Sequence, residues 1–235
     1  VLPMRKHIPN AITCLNLLSG CIGVVFAFQD KLIYASYAIL LAAVLDFLDG
    51  MVARALNAYS DIGKELDSLA DMVSFGFLPS AIVYQLFLHA PQLGELSPYL
   101  NFSAFLIAVF SALRLAKFNI DTRQAENFIG LPTPANAMLV ASLPLILTES
   151  SFFLSSYILN PFFLFLFSLG MGLLLVTEIP LISLKFKNLG FAENSLRYIL
   201  VISSLILILI FKFAAVPIII FIYFLISIIQ FRLIK

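Results

Sequence analysis

From Tyr198 to Phe231 the chain carries a single charged residue, Lys212. A helix built from such a run is apolar on every face, so it belongs in a bilayer and not on the surface of a soluble domain. Comparable stretches recur along the whole chain. Of its 235 residues, 62% are hydrophobic and 11% are charged, against roughly 25% charged in a typical soluble domain. Mean hydropathy is +1.06, which excludes disorder as well. Cys14 and Cys21 are the only thiols and share one apolar stretch, so no disulfide framework is implied. A formal charge of +1 gives no basis for nucleic-acid binding. The expected fold class is an all-α polytopic membrane bundle.

A spanning helix needs about 20 mostly apolar residues. On that criterion the spans fall near 11–28, 33–57, 62–88, 98–119, 132–148, 157–179, 195–211 and 213–231. Eight is the expected number. Six or seven are the alternatives, because the fifth segment is short and the last two meet at Lys212 and Phe213. Those two form either a pair or one long helix broken near Pro217. Residues 1–3 precede Met4 and read as a cloning scar, and no cleavable signal peptide is needed.

Basic residues orient the bundle. With both termini in the cytoplasm, twelve of the fourteen Lys and Arg fall on that side, Arg5, Lys6, Arg123, Lys185 and Lys187 among them. Lys31 and Lys212 are the exceptions. The loops 89–97 and 149–156 contain no Lys or Arg, as outside loops should.

Four aspartates break the apolar pattern. Each costs about 2.5–3.5 kcal/mol at a helix centre on insertion scales, so intramembrane acids are functional suspects. Asp46 and Asp49 are i and i+3 on the second segment, and Asp67 and Asp71 are i and i+4 on the third. A short turn near 57–62 joins the two, so all four carboxylates are expected to converge at one shallow depth. Arg54 and Lys64 are too few to neutralise them. Protonation is one relief and a divalent ion is the other; carboxylates suit Mg²⁺, Mn²⁺ or Ca²⁺ better than zinc. Two such ions about 3.5–4 Å apart would clamp a phosphoryl group during displacement. Gly50, Ala53 and Gly63 interleave with the acids. Small residues alone fit tight helix packing and close ligand approach equally; beside the acids, ligand approach is preferred.

The pattern Asp46-x2-Asp49-Gly50-x2-Ala53-Arg54-x8-Gly63-x3-Asp67-x3-Asp71 resembles the signature of the CDP-alcohol phosphotransferase family at every specified position. Within that family the chain resembles the phosphatidylserine synthases. The similarity rests on Ile8-Pro9-Asn10-x2-Thr13-x2-Asn16-Leu17-x2-Gly20, Asp67-Ser68-Leu69-Ala70-Asp71, Arg114-Leu115-Ala116-Lys117-Phe118-Asn119 and Gly130-Leu131-Pro132-Thr133-Pro134. It covers roughly residues 5–190. Lys117 stands where Arg is usual, which keeps charge but loses bidentate phosphate geometry.

The resemblance implies transfer of the phosphatidyl group from CDP-diacylglycerol to L-serine with release of CMP. Asp46, Asp49, Asp67 and Asp71 would then hold Mg or Mn, with Ca a third candidate and two ions expected, and Asp71 would serve as general base. Gly50, Ala53, Arg54 and Gly63 would contact the nucleotide. The family also implies a homodimer. A cytoplasm-facing site in a prokaryotic inner membrane is expected, since one substrate is lipid and the other water-soluble. The domain runs from 4 to 190, and 191–235 adds two further helices.

Serine's carboxylate calls for a cation, so Arg114 and Lys117, with Asn119, are expected to bind that carboxylate or the lipid phosphate. For Arg123 a topology signal is preferred. Asn10, Thr13 and Asn16 fit nucleotide or headgroup binding about as well as capping and interhelical hydrogen bonds. Rival acceptors within the family are glycerol phosphate and inositol phosphate. A membrane prenyltransferase also uses Asp-rich helices, but Gly50, Ala53-Arg54 and Gly63 have no place in its pattern. An ion or proton-coupled transporter would distribute its acids along a path through the bilayer, whereas these cluster on one side.

Overall fold

The computed structural model describes residues 7–120, 128–149, 152–182 and 190–233. The chain is an all-α membrane bundle. Among the described residues, four helical stretches are both long and apolar enough to cross a bilayer: His7–Phe28, Asp61–His89, Pro98–Ile120 and Asn194–Gln230. The long helices are α1 (His7–Phe28), α2 (Leu32–Leu56), α3 (Asp61–His89), α4 (Pro98–Ile120) and α5 (Thr133–Glu149). A short α6 (Phe152–Ile158) precedes α7 (Pro161–Val176), α8 (Phe191–Phe211) and α9 (Ala215–Leu233). Arg5, Lys6, Arg123, Lys185, Lys187 and Lys235 lie outside the described residues.

Two boundaries differ from expectation for a local reason. The segment expected at 157–179 is divided at Asn160. Its side chain caps α7 by accepting from the Phe162 and Phe163 N–H groups at 2.9 and 3.2 Å, and Pro161 occupies the first turn. The last two segments separate at Lys212, whose φ of 49° cannot continue a helix. Pro217 lies harmlessly in the first turn of α9.

Small residues bring the first helices together. An added Cβ on Gly23 would meet Leu78 Cδ2 at 2.5 Å and Ala38 Cβ at 2.8 Å, the close approach expected where lipid supplies no hydrophobic drive between helices. The Ser19 hydroxyl donates to the Ala38 carbonyl at 2.9 Å. Around this contact Ile39, Phe75, Leu78, Ile82, Ile107, Val140 and Leu164 form one buried cluster drawn from α2, α3, α4, α5 and α7. Large apolar side chains on the outside, such as Leu209 at 83% exposed and Phe162 at 62%, face where acyl chains would be. A two-residue antiparallel pairing of Phe128–Ile129 with Pro180–Leu181 pins the segment before α5 to the one after α7. Gly130 continues it with φ 74°, and a Cβ there would lie 2.7 Å from the Leu175 carbonyl.

The two ends of the bundle differ in chemistry. One end pairs its polar groups across helices: His89 Nε2 lies 2.6 Å from Asp30 Oδ1, and Lys212 Nζ donates to Glu149 Oε1 at 3.0 Å. The other end carries the unbalanced acids.

Candidate active site

The acids are positioned by two helices and the turn between them. Helix α2 ends at Asn57, whose left-handed conformation (φ 49°) lets its N–H reach the Ala53 and Arg54 carbonyls; Asn tolerates that region because its short polar side chain bonds locally. Ser60 starts α3 by accepting from the Gly63 N–H at 3.1 Å. A capped, four-residue reversal, 57–60, therefore sets Asp46 and Asp49 against Asp67 and Asp71. One carboxylate oxygen from each of Asp46, Asp49 and Asp67 lies within 4.8 Å of the others. Asp71 is within hydrogen-bonding reach of Asp46. It is buried, at 8% exposed, and its Oδ1 has no hydrogen-bond partner. Immediately after Asp71 the helix widens into a π-helical turn, Met72–Phe77, a distortion frequent at functional sites. Ser74 in that turn donates to the Asn16 carbonyl at 3.0 Å, tying α3 to α1.

Converging carboxylates with an orphaned oxygen fit a hard divalent cation, which takes oxygen ligands and neutralises their repulsion. Thr13 donates to Asp49 Oδ2 at 2.7 Å and so fixes one of them; an interhelical bond of this kind is the outer support that metal ligands need.

Beside the acids lies a cavity of about 220 Å³ whose walls include Asn10, Thr13, Gly50, Ala53, Gly63 and Lys64. The glycines differ. A Cβ on Gly50 would find only Arg54 Nη1 at 3.8 Å, so that residue leaves room for a ligand. At Gly63 a Cβ would meet Asn10 Oδ1 at 2.9 Å and Ser60 Oγ at 3.0 Å, so helix packing requires this glycine as well. Arg54 itself is exposed.

The basic residues on α4 separate. Arg114 is buried at 7% exposed, its Nε lacks a partner, and Asp71 is the opposite charge acting on it. Lys117 is exposed. Asn119 straps α4 to α3: its Nδ2 donates to Ser68 Oγ at 2.9 Å and its carbonyl accepts from Lys64 Nζ at 2.9 Å. Asn16 is fully buried with neither side-chain polar atom paired. Sequence reading missed Asn136, which is equally buried and unpaired on the first turn of α5. A polar residue in an apolar helix was its signal. It also missed the turn residues Ala58 and Tyr59 in the cavity wall, which occupy the unspecified spacer of the signature.

The family model for CDP-alcohol phosphatidyltransferase matches residues 6–178, which include every one of these side chains. The chain belongs to that family. Divalent-metal dependence is general to the family, in keeping with the acid cluster. Curated relatives narrow the similarity. The chain is 35% identical over 175 residues to the CDP-diacylglycerol–serine O-phosphatidyltransferase of Bacillus subtilis, covering 74% of this chain and 89% of that one. It is 37% identical over 174 residues to the enzyme of the same name from Helicobacter pylori strain J99, covering 73% and 70%. With that of Methanocaldococcus jannaschii it shares 33% over 172 residues, covering 73% and 72%.

Proposed function

We propose that the protein is a CDP-diacylglycerol–serine O-phosphatidyltransferase, moving the phosphatidyl group from CDP-diacylglycerol to the hydroxyl of L-serine and releasing CMP. The observation that carries the proposal is that relatives from two bacteria and an archaeon, at 33–37% identity over nearly three quarters of the chain, all bear that name.

Asp46, Asp49, Asp67 and Asp71 would hold Mg or Mn, with Ca a third candidate and two ions proposed. Bound there, such ions supply the positive charge that neutralises the diphosphate and the departing phosphate. The rest falls to the chain. Asn10, Gly50, Ala53 and Gly63 receive the cytidine, with Arg54 at the edge beside Gly50, while Thr13 orients Asp49. Serine's hydroxyl is a poor nucleophile near neutral pH, and Asp71 takes its proton as the new P–O bond forms. The bond from that phosphorus to the bridging oxygen breaks, and CMP leaves with the electron pair. Arg114, buried opposite Asp71, pairs with the serine carboxylate. Lys117, exposed near the headgroups, serves the lipid phosphate. Asn16 lends its unpaired amide to the bound substrates, and Asn119 keeps α4 against α3.

The same proposal has eight spans, both termini in the cytoplasm and the acids near the inner surface of a prokaryotic cytoplasmic membrane. The basic-residue distribution supports it. The catalytic membrane domain is taken as 4–190, with 191–235 adding two helices, and the working unit as a homodimer.

An acceptor panel on purified protein tests the proposal. Serine, and not glycerol phosphate or inositol phosphate, is expected to drive CMP release from CDP-diacylglycerol; release with either phosphate alone would reassign the acceptor. In the same assay Arg114→Ala is expected to raise the serine KM by roughly ten- to hundred-fold, the worth of a charged hydrogen bond. An unchanged serine KM and rate would remove Arg114 from the site.

A further inference from the structure

Tyr59 has no structural task that the fold reveals. It is 68% exposed, and among the described residues it makes no hydrogen bond or ring contact. Yet it is not on a loose loop. On one side the Ala58 N–H donates to the Ala53 carbonyl at 2.9 Å and Asn57 closes α2. On the other, Ser60 caps α3, and its carbonyl accepts from the Lys64 N–H at 3.1 Å. A large aromatic ring is thus held on a pinned turn with a free face, and it forms part of the wall of the 220 Å³ cavity.

The cavity wall combines three kinds of residue. Asp49 and Asp67 come from the acid cluster, and Gly50 and Ala53 stand about one turn apart on α2. The turn bearing Tyr59 comes after them in the chain and closes the wall. A ligand with its diphosphate at the acids and its sugar against the small residues would extend its base toward this ring.

We propose that Tyr59 is the stacking platform for the pyrimidine ring of the nucleotide donor and of the CMP product. This rests on the reading of the chain as a user of a CDP-linked donor. Stacking is tolerant of which base is present, since every base has a π face. Tyr59 therefore supplies affinity for a base and not discrimination between cytosine and uracil; the latter falls to polar groups in the wall such as Asn10. The ordinary alternative is a tyrosine of the interfacial aromatic belt, which would anchor the protein in the headgroups and leave nucleotide binding untouched.

The experiment compares binding of CMP and ribose 5-phosphate, in the presence of Mn²⁺, to the full-length protein in detergent. The ratio of the two affinities isolates the base. Tyr59→Leu keeps an apolar side chain at the interface and is expected to lower that ratio by roughly five- to hundred-fold, while Tyr59→Phe and Tyr59→Trp preserve it. An unchanged ratio in Tyr59→Leu overturns the proposal, as does a loss in Tyr59→Phe equal to that in Tyr59→Leu. Wild-type protein that binds both ligands equally also overturns it and leaves the acid site intact. Failure of either ligand to bind in a metal-dependent way would overturn the donor reading along with it.

Discussion

Replacing Asp71 with Asn is expected to lower kcat for serine-dependent CMP release by about two to four orders of magnitude, the range supplied by a positioned general base. The substitution keeps shape and volume, so the fold should survive it; what it removes is the ability to accept a proton. Asp71 is 8% exposed and has Arg114 as its opposite charge, and its Oδ1 has no protein hydrogen-bond partner, so that oxygen is free to take the proton. CMP affinity should also fall, since Asp71 is placed among the metal ligands, but by less than kcat, because Asp49 and Asp67 line the cavity wall and Asp71 does not. A variant that retains most of the wild-type kcat would show that the hydroxyl proton leaves by another route.

Asp67→Asn is expected to act at an earlier stage. Asp67 contributes to the group of three oxygens that lie within 4.8 Å of one another and also to the cavity wall. Losing its charge removes one ligand from the cluster and leaves Asp46, Asp49 and Asp71 to hold the cations. Both CMP binding and turnover should then fall, by about a hundred-fold or more if several kcal/mol of metal-assisted charge stabilisation is lost. Raising the Mn²⁺ concentration should recover more of the activity in Asp67→Asn than in Asp71→Asn, where the base is lost along with a ligand. The pair is read by titrating metal against CMP release. Identical metal dependence in Asp67→Asn and wild type would take Asp67 out of the metal site.

Much of this was legible before any coordinates. In a bilayer the backbone must satisfy itself, so the length of an apolar run dictates a helix almost alone. The segments expected at 33–57 and 62–88 accordingly became Leu32–Leu56 and Asp61–His89. The four aspartates stood out because acids are expensive there, and helical spacing alone put each pair on one face. What stayed hidden depended on contacts between helices. In sequence Thr13 fits ligand binding, capping and an interhelical hydrogen bond equally, and only the structure singles out the last, to Asp49 at 2.7 Å. Gly50 and Gly63 look equivalent in sequence, yet one opens onto the cavity and the other is also pressed by Asn10. Arg114 and Lys117 look like a pair, but one is buried and the other exposed. The π-helical turn after Asp71 has no sequence signature of its own. The division at Asn160–Pro161 does have one, an N-cap followed by proline, but the apolar run that continues across it masks the signal.

CMP release by the purified full-length protein, given CDP-diacylglycerol and serine and assayed with and without chelator, addresses the carboxylate cluster most directly. Release should stop when divalent ions are withdrawn and return when Mg²⁺ or Mn²⁺ is restored. Undiminished release in excess chelator would contradict a cation-loaded site built from α2 and α3.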